Sequence, residues 1–225
     1  MIVPLDDDHL LRYFAWVADR RAHVRERSGG RLGYVHLPDQ GSRGWAEFHR
    51  DLATQTSCEG LIVDTRANGG GNTSPLVVEQ LMRRVAGWDL ARGRTPRSYP
   101  PAAVRGPLVS VCDEYSASDG DIINQYLKDQ GVPIVGTRTW GGVVGIDSRF
   151  RLLDGTAVTQ PKYMSWFDSV GYGLENHGCE PTVEVEFTPA DANARRDPQL
   201  DAAVDLALAE LAEHPAATPP ERPWT

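Results

Sequence analysis

The chain is short of cysteine, lysine and long apolar runs, and each shortage removes a class of function. Three cysteines, Cys58, Cys112 and Cys179, are odd in number and far apart in 225 residues. No disulfide framework or paired metal knuckle is suggested, no metal or cofactor is called for, and a reducing, cytoplasmic compartment fits. The only lysines are Lys128 and Lys162. The formal net charge is −8, the acids cluster at Asp6-Asp7-Asp8, and the arginines are dispersed, so no basic surface for nucleic acid is expected. No stretch approaches the ~20 apolar residues needed to span a bilayer, and no basic segment followed by an apolar run opens the sequence. Neither secretion nor a membrane is marked. What is present is 40% hydrophobic and 24% charged residues, an ordinary globular balance with enough apolar content for a large core.

Periodicity divides the chain into a regular half and an irregular one. Leu10, Leu11, Phe14, Val17 and Val24 recur at helical spacing behind the acidic cluster, and Gly29-Gly30 supplies a stop, which predicts a helix over 7–28. Apolar runs follow at 32–37, 61–64, 108–112 and 132–135, separated by amphipathic stretches at 43–55, 74–86 and 118–131. Each helical stretch joins two strand candidates, so the sheet is expected to be parallel with crossover helices. Beyond 135 glycine-rich turns and shorter strands, near 149–160 and 182–187, read as α+β. Asp197-Pro198 reads as an N-cap with proline at the first helical position, and Leu200, Val204, Leu208 and Leu211 form the stripe of a last helix. Segment 87–106 has no clear period and is expected to be an arm or surface loop anchored by Trp88 and Tyr99.

Four segments have the composition of reactive or binding loops. Asn68-Gly69-Gly70-Gly71-Asn72 falls between a strand and a helix. Its glycines either form a flexible turn or let backbone N–H groups face an oxyanion. No Gly-Lys-Ser/Thr follows, so it is not a phosphate loop. In Asp113-Glu114-Tyr115-Ser116-Ala117-Ser118-Asp119-Gly120-Asp121 a serine at the strand–helix junction can project a nucleophilic hydroxyl. Alternatively Ser116 or Ser118 simply caps the helix, with Asp121 completing a capping-box-like pattern. Trp140-Gly141-Gly142-Val143-Val144-Gly145 is either a groove wall for an extended peptide or a glycine turn under a tryptophan. Gly173-Leu174-Glu175-Asn176-His177-Gly178 gathers a carboxylate, an amide and an imidazole. Glu175 can orient a base, and His177 can serve as one if it reaches Ser118, or the loop is merely polar. The other histidines show no metal spacing.

Taken in order, Asn-Gly-Gly-Gly, Ser-Ala-Ser-Asp-Gly-Asp, Arg-Thr-Trp-Gly-Gly-Val-Val-Gly and Glu-Asn-His-Gly closely resemble the tricorn protease family over nearly the whole chain. Gly33-Tyr34-Val35-His36-Leu37-Pro38-Asp39 and Asp197-Pro198-Gln199-Leu200 support the match. The resemblance implies an α/β (α+β) fold of the crotonase and Clp-protease type, a spiral of β-β-α units with a C-terminal helix. It implies a serine peptidase cutting oligopeptides, with Ser118 as nucleophile and Glu175 as the acid that supports the base. Oxyanion donors would be the Asp119 N–H and that of Gly71, or of Gly70 in an alternative register. Trp140, Gly141 and Gly142 would line the substrate groove. Asp89 is, by spacing, a counterpart of the carboxylate that favours basic residues before the cut, or else a solvated surface aspartate.

The base is the missing member. In the resembled family it is a histidine preceded by serine, carried by a separate domain upstream of a PDZ-like domain, and this chain has no Ser-His dipeptide. The lysine used by the related C-terminal-processing peptidases would fall at Gly142. Residues 1–28 are accordingly expected to be a linker helix from an upstream domain, with Val3-Pro4-Leu5 as the last strand of that domain. The catalytic domain is expected over 29–214, and 215–225 as a flexible tail. The resemblance further implies assembly into hexamers, for which the 87–106 arm is a candidate. Two other readings stand beside the peptidase. One is a crotonase-like acyl-CoA enzyme that shares the two-donor oxyanion hole; the other is a binding module that holds a peptide in the groove without cutting it.

Overall fold

The structure is a computed structural model that describes residues 6–147 and 149–222. The strand expected at Val3-Pro4-Leu5 lies outside the described residues. The apolar runs form strands β1 (Leu32–His36), β2 (Gly60–Asp64) and β5 (Leu108–Cys112), joined by β6 (Ile134–Gly136) and β9 (Val183–Glu184). They pair in the order β1-β2-β5-β6-β9, and every neighbouring pair is parallel. Continuous apolar runs suit such a sheet because both faces are covered. Successive side chains point to opposite faces. Tyr34, Ile62, Val109, Val111 and Val135 thus face one core with helices α1 (His9–Arg27) and α6 (Pro198–Glu213). Val35, Leu61, Val63, Cys112 and Ile134 face the other, with α2 (Ser42–Gln55), α3 (Ser74–Leu81) and α4 (Asp119–Asp129). The expected mixed α/β fold with a parallel sheet and a C-terminal helix is present.

The last helix starts as its sequence predicts. Asp197 caps it by accepting from the Leu200 N–H at 3.0 Å, and Pro198 occupies the first turn. Asp197 does more than cap. Its carboxylate also receives Arg66 Nη1 at 2.9 Å, while Arg66 Nη2 binds Asp64 Oδ2 at 2.7 Å. This buried network explains how an acidic residue ends the otherwise apolar β2, and it ties α6 to the sheet edge from which the reactive loops leave.

Several expectations need correction. The stretch 74–86 is helical only to Leu81. The loop expected at 87–106 contains an antiparallel hairpin, β3 (Gly87–Asp89) with β4 (Arg97–Tyr99). Three-residue strands leave too few alternations to read, and Trp88 is held by the Arg105 guanidinium 5.6 Å from its ring centroid. The strand expected over 149–160 forms at its borders instead, as β7 (Gly145–Asp147) paired antiparallel with β8 (Gln160–Tyr163). Between them an isolated bridge, Arg151 to Ala157, crosses the loop, together with the Leu152 N–H bond to the Thr156 carbonyl at 2.9 Å. The strand expected over 182–187 shrinks to β9, and a short helix, α5 (Pro189–Asn193), follows behind a Thr188–Asp191 capping box. The tail beyond 214 is fastened at Ala217, whose N–H donates to the Arg105 carbonyl at 2.8 Å while its carbonyl accepts from Arg105 Nε at 2.8 Å.

Candidate active site

Because the strands are parallel, their C-terminal ends lie along one edge, and the loops after β2, β5 and β6 leave from it together. These are the Asn68–Gly71, Asp113–Ser118 and Thr139–Gly145 segments. The structure therefore brings three of the four sequence motifs into one neighbourhood, and hydrogen bonds join them directly.

At the start of α4 the two serines separate into different roles. Ser116 is fully buried, and its hydroxyl donates to the Thr65 carbonyl at 2.8 Å while Asp113 N–H donates to it at 3.2 Å. It is a turn residue. Ser118 is half-buried, stands at the N-cap with φ 58° and ψ −115°, and its side chain makes no cap hydrogen bond. Positive φ in a non-glycine residue costs on the order of 1–3 kcal/mol and persists only where the surroundings impose it. The cap reading of Ser118 is thereby overturned. Strain is retained and the hydroxyl, which among the described residues makes no hydrogen bond, is left available.

The glycine loop lies against this turn. A Cβ on Gly70 would fall 2.6 Å from the Ser118 Cβ and 3.2 Å from the Asp119 nitrogen, and Gly70 itself has φ +81°. Asn68 fastens the two segments: its carbonyl accepts from Ala117 N–H at 2.8 Å, its Nδ2 donates to the Leu37 carbonyl at 2.7 Å, and its Oδ1 accepts from Gly70 N–H at 2.9 Å. The last bond separates the two oxyanion candidates, because it consumes the Gly70 N–H. The N–H groups of Gly71 and Asp119 have no hydrogen-bond acceptor among the described residues. Asp119 instead spends its carboxylate on Ser74, accepting from the N–H at 3.0 Å and from the hydroxyl, so α3 and α4 are tied together at their N-termini.

Glu175 reaches the same edge from the fourth motif. Its Oε2 accepts from the N–H groups of Val143 and Val144, both at 2.7 Å, so the carboxylate is held by the glycine loop that follows β6. Asn176 N–H closes the pair by donating to the Gly141 carbonyl at 2.6 Å. The exposed Trp140 ring folds over Gly142, where a Cβ would meet it at 2.1 Å. His177 does not join Ser118. It is exposed, and its Nε2 pairs with Glu180 Oε1 at 2.8 Å. Lys128 Nζ donates to the Glu180 carbonyl at 2.8 Å, and Lys162 sits 4.8 Å from the Phe150 ring centroid. Asp89 is exposed on β3 opposite Arg97, and none of its contacts among the described residues joins it to Ser118.

Sequence reading passed over two residues of this cluster. Both stand in the quoted motifs, but the sequence pattern assigns Asn68 no role beyond heading the glycine run and Asp121 none beyond a capping-box partner. Each is a single buried polar side chain with no period to reveal it. The usable signal was position: Asp121 stands three residues after Ser118, where a carboxylate can turn back toward the start of the helix.

A strained serine at a helix start, with uncommitted backbone amides beside it and a carboxylate anchored nearby, defines a serine-hydrolase type of site. The chain belongs to peptidase family S41, whose family model matches residues 31–185. It is 60% identical over 224 residues to tricorn protease homolog 1 of Streptomyces coelicolor, covering 99% of this chain and 21% of that protein. It is 47% identical over 212 residues to the tricorn protease of Thermoplasma acidophilum, covering 94% and 20%. Among solved structures, that of the tricorn protease superposes with a TM-score of 0.91 at 47% identity, over 94% of this chain and 21% of that one. The chain thus spans about a fifth of the length of these relatives. The family match favours the peptidase over the acyl-CoA alternative.

Proposed function

We propose that this domain carries the acyl-transfer half of a tricorn-type serine peptidase, with Ser118 as nucleophile. The carrying observation is the strained, unbonded Ser118 beside the free Asp119 and Gly71 amides. In this reading the Ser118 oxygen attacks a peptide carbonyl, and the oxyanion that forms is received by those two N–H groups. Each such donor contributes ~3 kcal/mol of transition-state stabilisation, so the pair supplies much of the rate of acyl transfer. The Thr139–Gly145 loop, with Trp140, Gly141 and Gly142, forms the groove wall, and Glu175 supports the base.

The base itself comes from another part of the protein, as the family resemblance implies: a Ser-His pair in an upstream domain, before a PDZ-like one. None of the histidine or lysine side chains among the described residues bonds to Ser118, and loss of a triad base costs on the order of 10⁶ in turnover. Oligopeptides as substrates, Asp89 as a specificity carboxylate, a hexameric assembly and a cytoplasmic location belong to the same reading. No helix of the described residues is long and apolar enough to cross a membrane. A serine-reactive peptidyl fluorophosphonate tests the proposal. Slow labelling confined to Ser118, accelerated when the upstream domain is restored, is the expected result. Rapid stoichiometric labelling of the segment alone would show that it holds its own base, and labelling at another residue would remove Ser118 from the role.

A further inference from the structure

We infer that Asp121 is a positioning residue that sets the Glu175-bearing loop against the Ser118 turn. This rests on the reading of Ser118 as nucleophile, and it gives a role to a residue to which neither the resemblance nor the oxyanion geometry assigns one.

Asp121 is 0% exposed. A carboxylate is rarely buried without a cation, and the ion pairs of the described residues give it none; its neighbours are hydrogen-bond donors and another acid. Its Oδ1 accepts from the Gly141 N–H at 2.8 Å and from the Thr139 hydroxyl, which in turn accepts from the Cys179 N–H at 2.7 Å. The Asp121 N–H donates to the Ser118 carbonyl at 3.0 Å, and among the described residues Oδ2 is left buried with no hydrogen-bond partner. Burial pushes the carboxyl up from its ordinary range, and the nearby negative charge of Glu175 adds to that, while the bonds from Thr139 and Gly141 pull it back. One residue therefore binds the strained serine through its N–H and the first glycine of the groove loop through its carboxylate.

The connection continues without a gap. From Gly141 the loop runs two residues to the Val143 and Val144 N–H groups, which hold Glu175, and the Gly141 carbonyl is itself bonded to Asn176 beside it. Ser118 and Glu175 are 57 residues apart in sequence, come from different elements, and have no direct hydrogen bond among the described residues. Asp121 is the side chain that makes their separation a fixed quantity. A core filled with apolar side chains would be more stable at this point, since an orphaned buried oxygen is a cost. Retaining the acid makes sense if placement matters more here than stability.

Peptidyl fluorophosphonate labelling of Ser118 in the purified chain, slow as it is, tests this, with thermal unfolding measured alongside. Asp121→Asn keeps an oxygen to accept from Gly141 and Thr139, yet it removes the charge that strengthens those bonds and sets an amide N–H where Oδ2 lies buried without a donor. The expected result is a fall of about tenfold or more in the limiting labelling rate, with probe affinity changed less than about twofold and the melting temperature retained, because small displacements of reacting groups cost rate rather than binding. Thr139→Val, which leaves α4 untouched and removes one bond to Oδ1, should lower the limiting rate by less. Labelling of Asp121→Asn at the parent rate overturns the proposal. So does a loss in both variants that only follows their folded fraction, since that would make Asp121 merely structural. Ser118→Ala separates the two levels of inference: label persisting there overturns the nucleophile reading itself and leaves the Asp121 bonds unexplained by it.

Discussion

Two regions, the sheet edge after β2 and β5 and the arm after β6, differ in almost every physical respect. At the sheet edge, Asn68, Ser116, Asp119 and Asp121 are buried polar residues, three of them fully buried, and each side chain bonds a neighbouring segment. In the arm that starts at β7 and ends near Tyr172, Ile146, Phe150, Leu152, Leu153, Tyr163, Met164, Trp166 and Tyr172 are all exposed apolar or aromatic side chains. One region puts polar groups inside and the other puts apolar groups outside. Both violate the simple partition of residues by polarity, and such violations mark the places where a sequence serves something other than stability. At the edge, on the proposed reading, that purpose is placement of Ser118. Its surroundings are fixed by directional bonds to buried side chains, whereas the described bonds of the arm are mostly backbone ones, the short β7–β8 ladder and the Arg151–Ala157 and Phe167–Gly171 bridges.

The sharpest way to break this contrast is to change one atom group at the edge. Gly71 has φ +150°, and a Cβ there would fall 2.2 Å from the carbonyl carbon and oxygen of Gln40. That carbonyl cannot retreat, because it accepts from Asn72 at 2.9 Å and Thr73 at 3.0 Å, while the Gln40 N–H donates to the Gly70 carbonyl at 2.8 Å. Overpacking against fixed backbone places Gly71→Ala near the severe end, about 4 kcal/mol, which for a domain of this size lowers the melting temperature by roughly 10 °C. Calorimetry or circular dichroism reads the shift. A melting temperature within about 2 °C of the parent would mean that the glycine loop yields, and that the edge is no more rigid than the arm.

A smaller effect of opposite sign is expected at Ser118, the proposed nucleophile. Ser118→Gly removes the Cβ from a residue held at φ 58°. It should raise stability by about 1 kcal/mol while abolishing labelling, because the strain is relieved and the hydroxyl is gone. Glycine's larger unfolded-state entropy offsets part of the gain. A denaturant titration showing Ser118→Gly less stable than the parent would indicate that the turn is not strained and that its unusual backbone has no functional meaning.

How much of this was legible follows from the same physics. β1, β2 and β5 are visible because both faces of a parallel strand need apolar residues, so Leu61-Ile62-Val63 announces itself as a run. The hairpin within 87–106 is not, since its strands are three residues long and its Trp88 packs under Arg105, a contact between residues 17 apart with no period between them. The arm misled directly: Leu152 and Leu153 suggest a buried strand, yet they stand in the loop between β7 and β8. At the site, Ser118 and the glycines carry ordered motifs, but the bonds that choose Gly71 over Gly70 and Ser118 over Ser116 depend on Asn68 and Thr65 meeting them across the edge. A sequence shows which residues a loop has; only the fold shows which of its N–H groups remain free.

The smallest expected effect lies in the arm and sharpens the comparison from the other side. Leu153 is fully exposed, at the tip between β7 and β8, and no core cluster includes it. Leu153→Ser removes apolar area that folding does not bury, so the hydrophobic term in stability is unchanged, and the change in unfolding free energy should stay within about 0.5 kcal/mol. Urea unfolding of the parent and the variant measures it, with the slope of the transition also unchanged because the surface exposed on unfolding is the same. A loss of more than about 1 kcal/mol would show that the leucine is covered in solution by something that folds with the chain, and the arm would then belong with the edge as a region whose side chains are held in place.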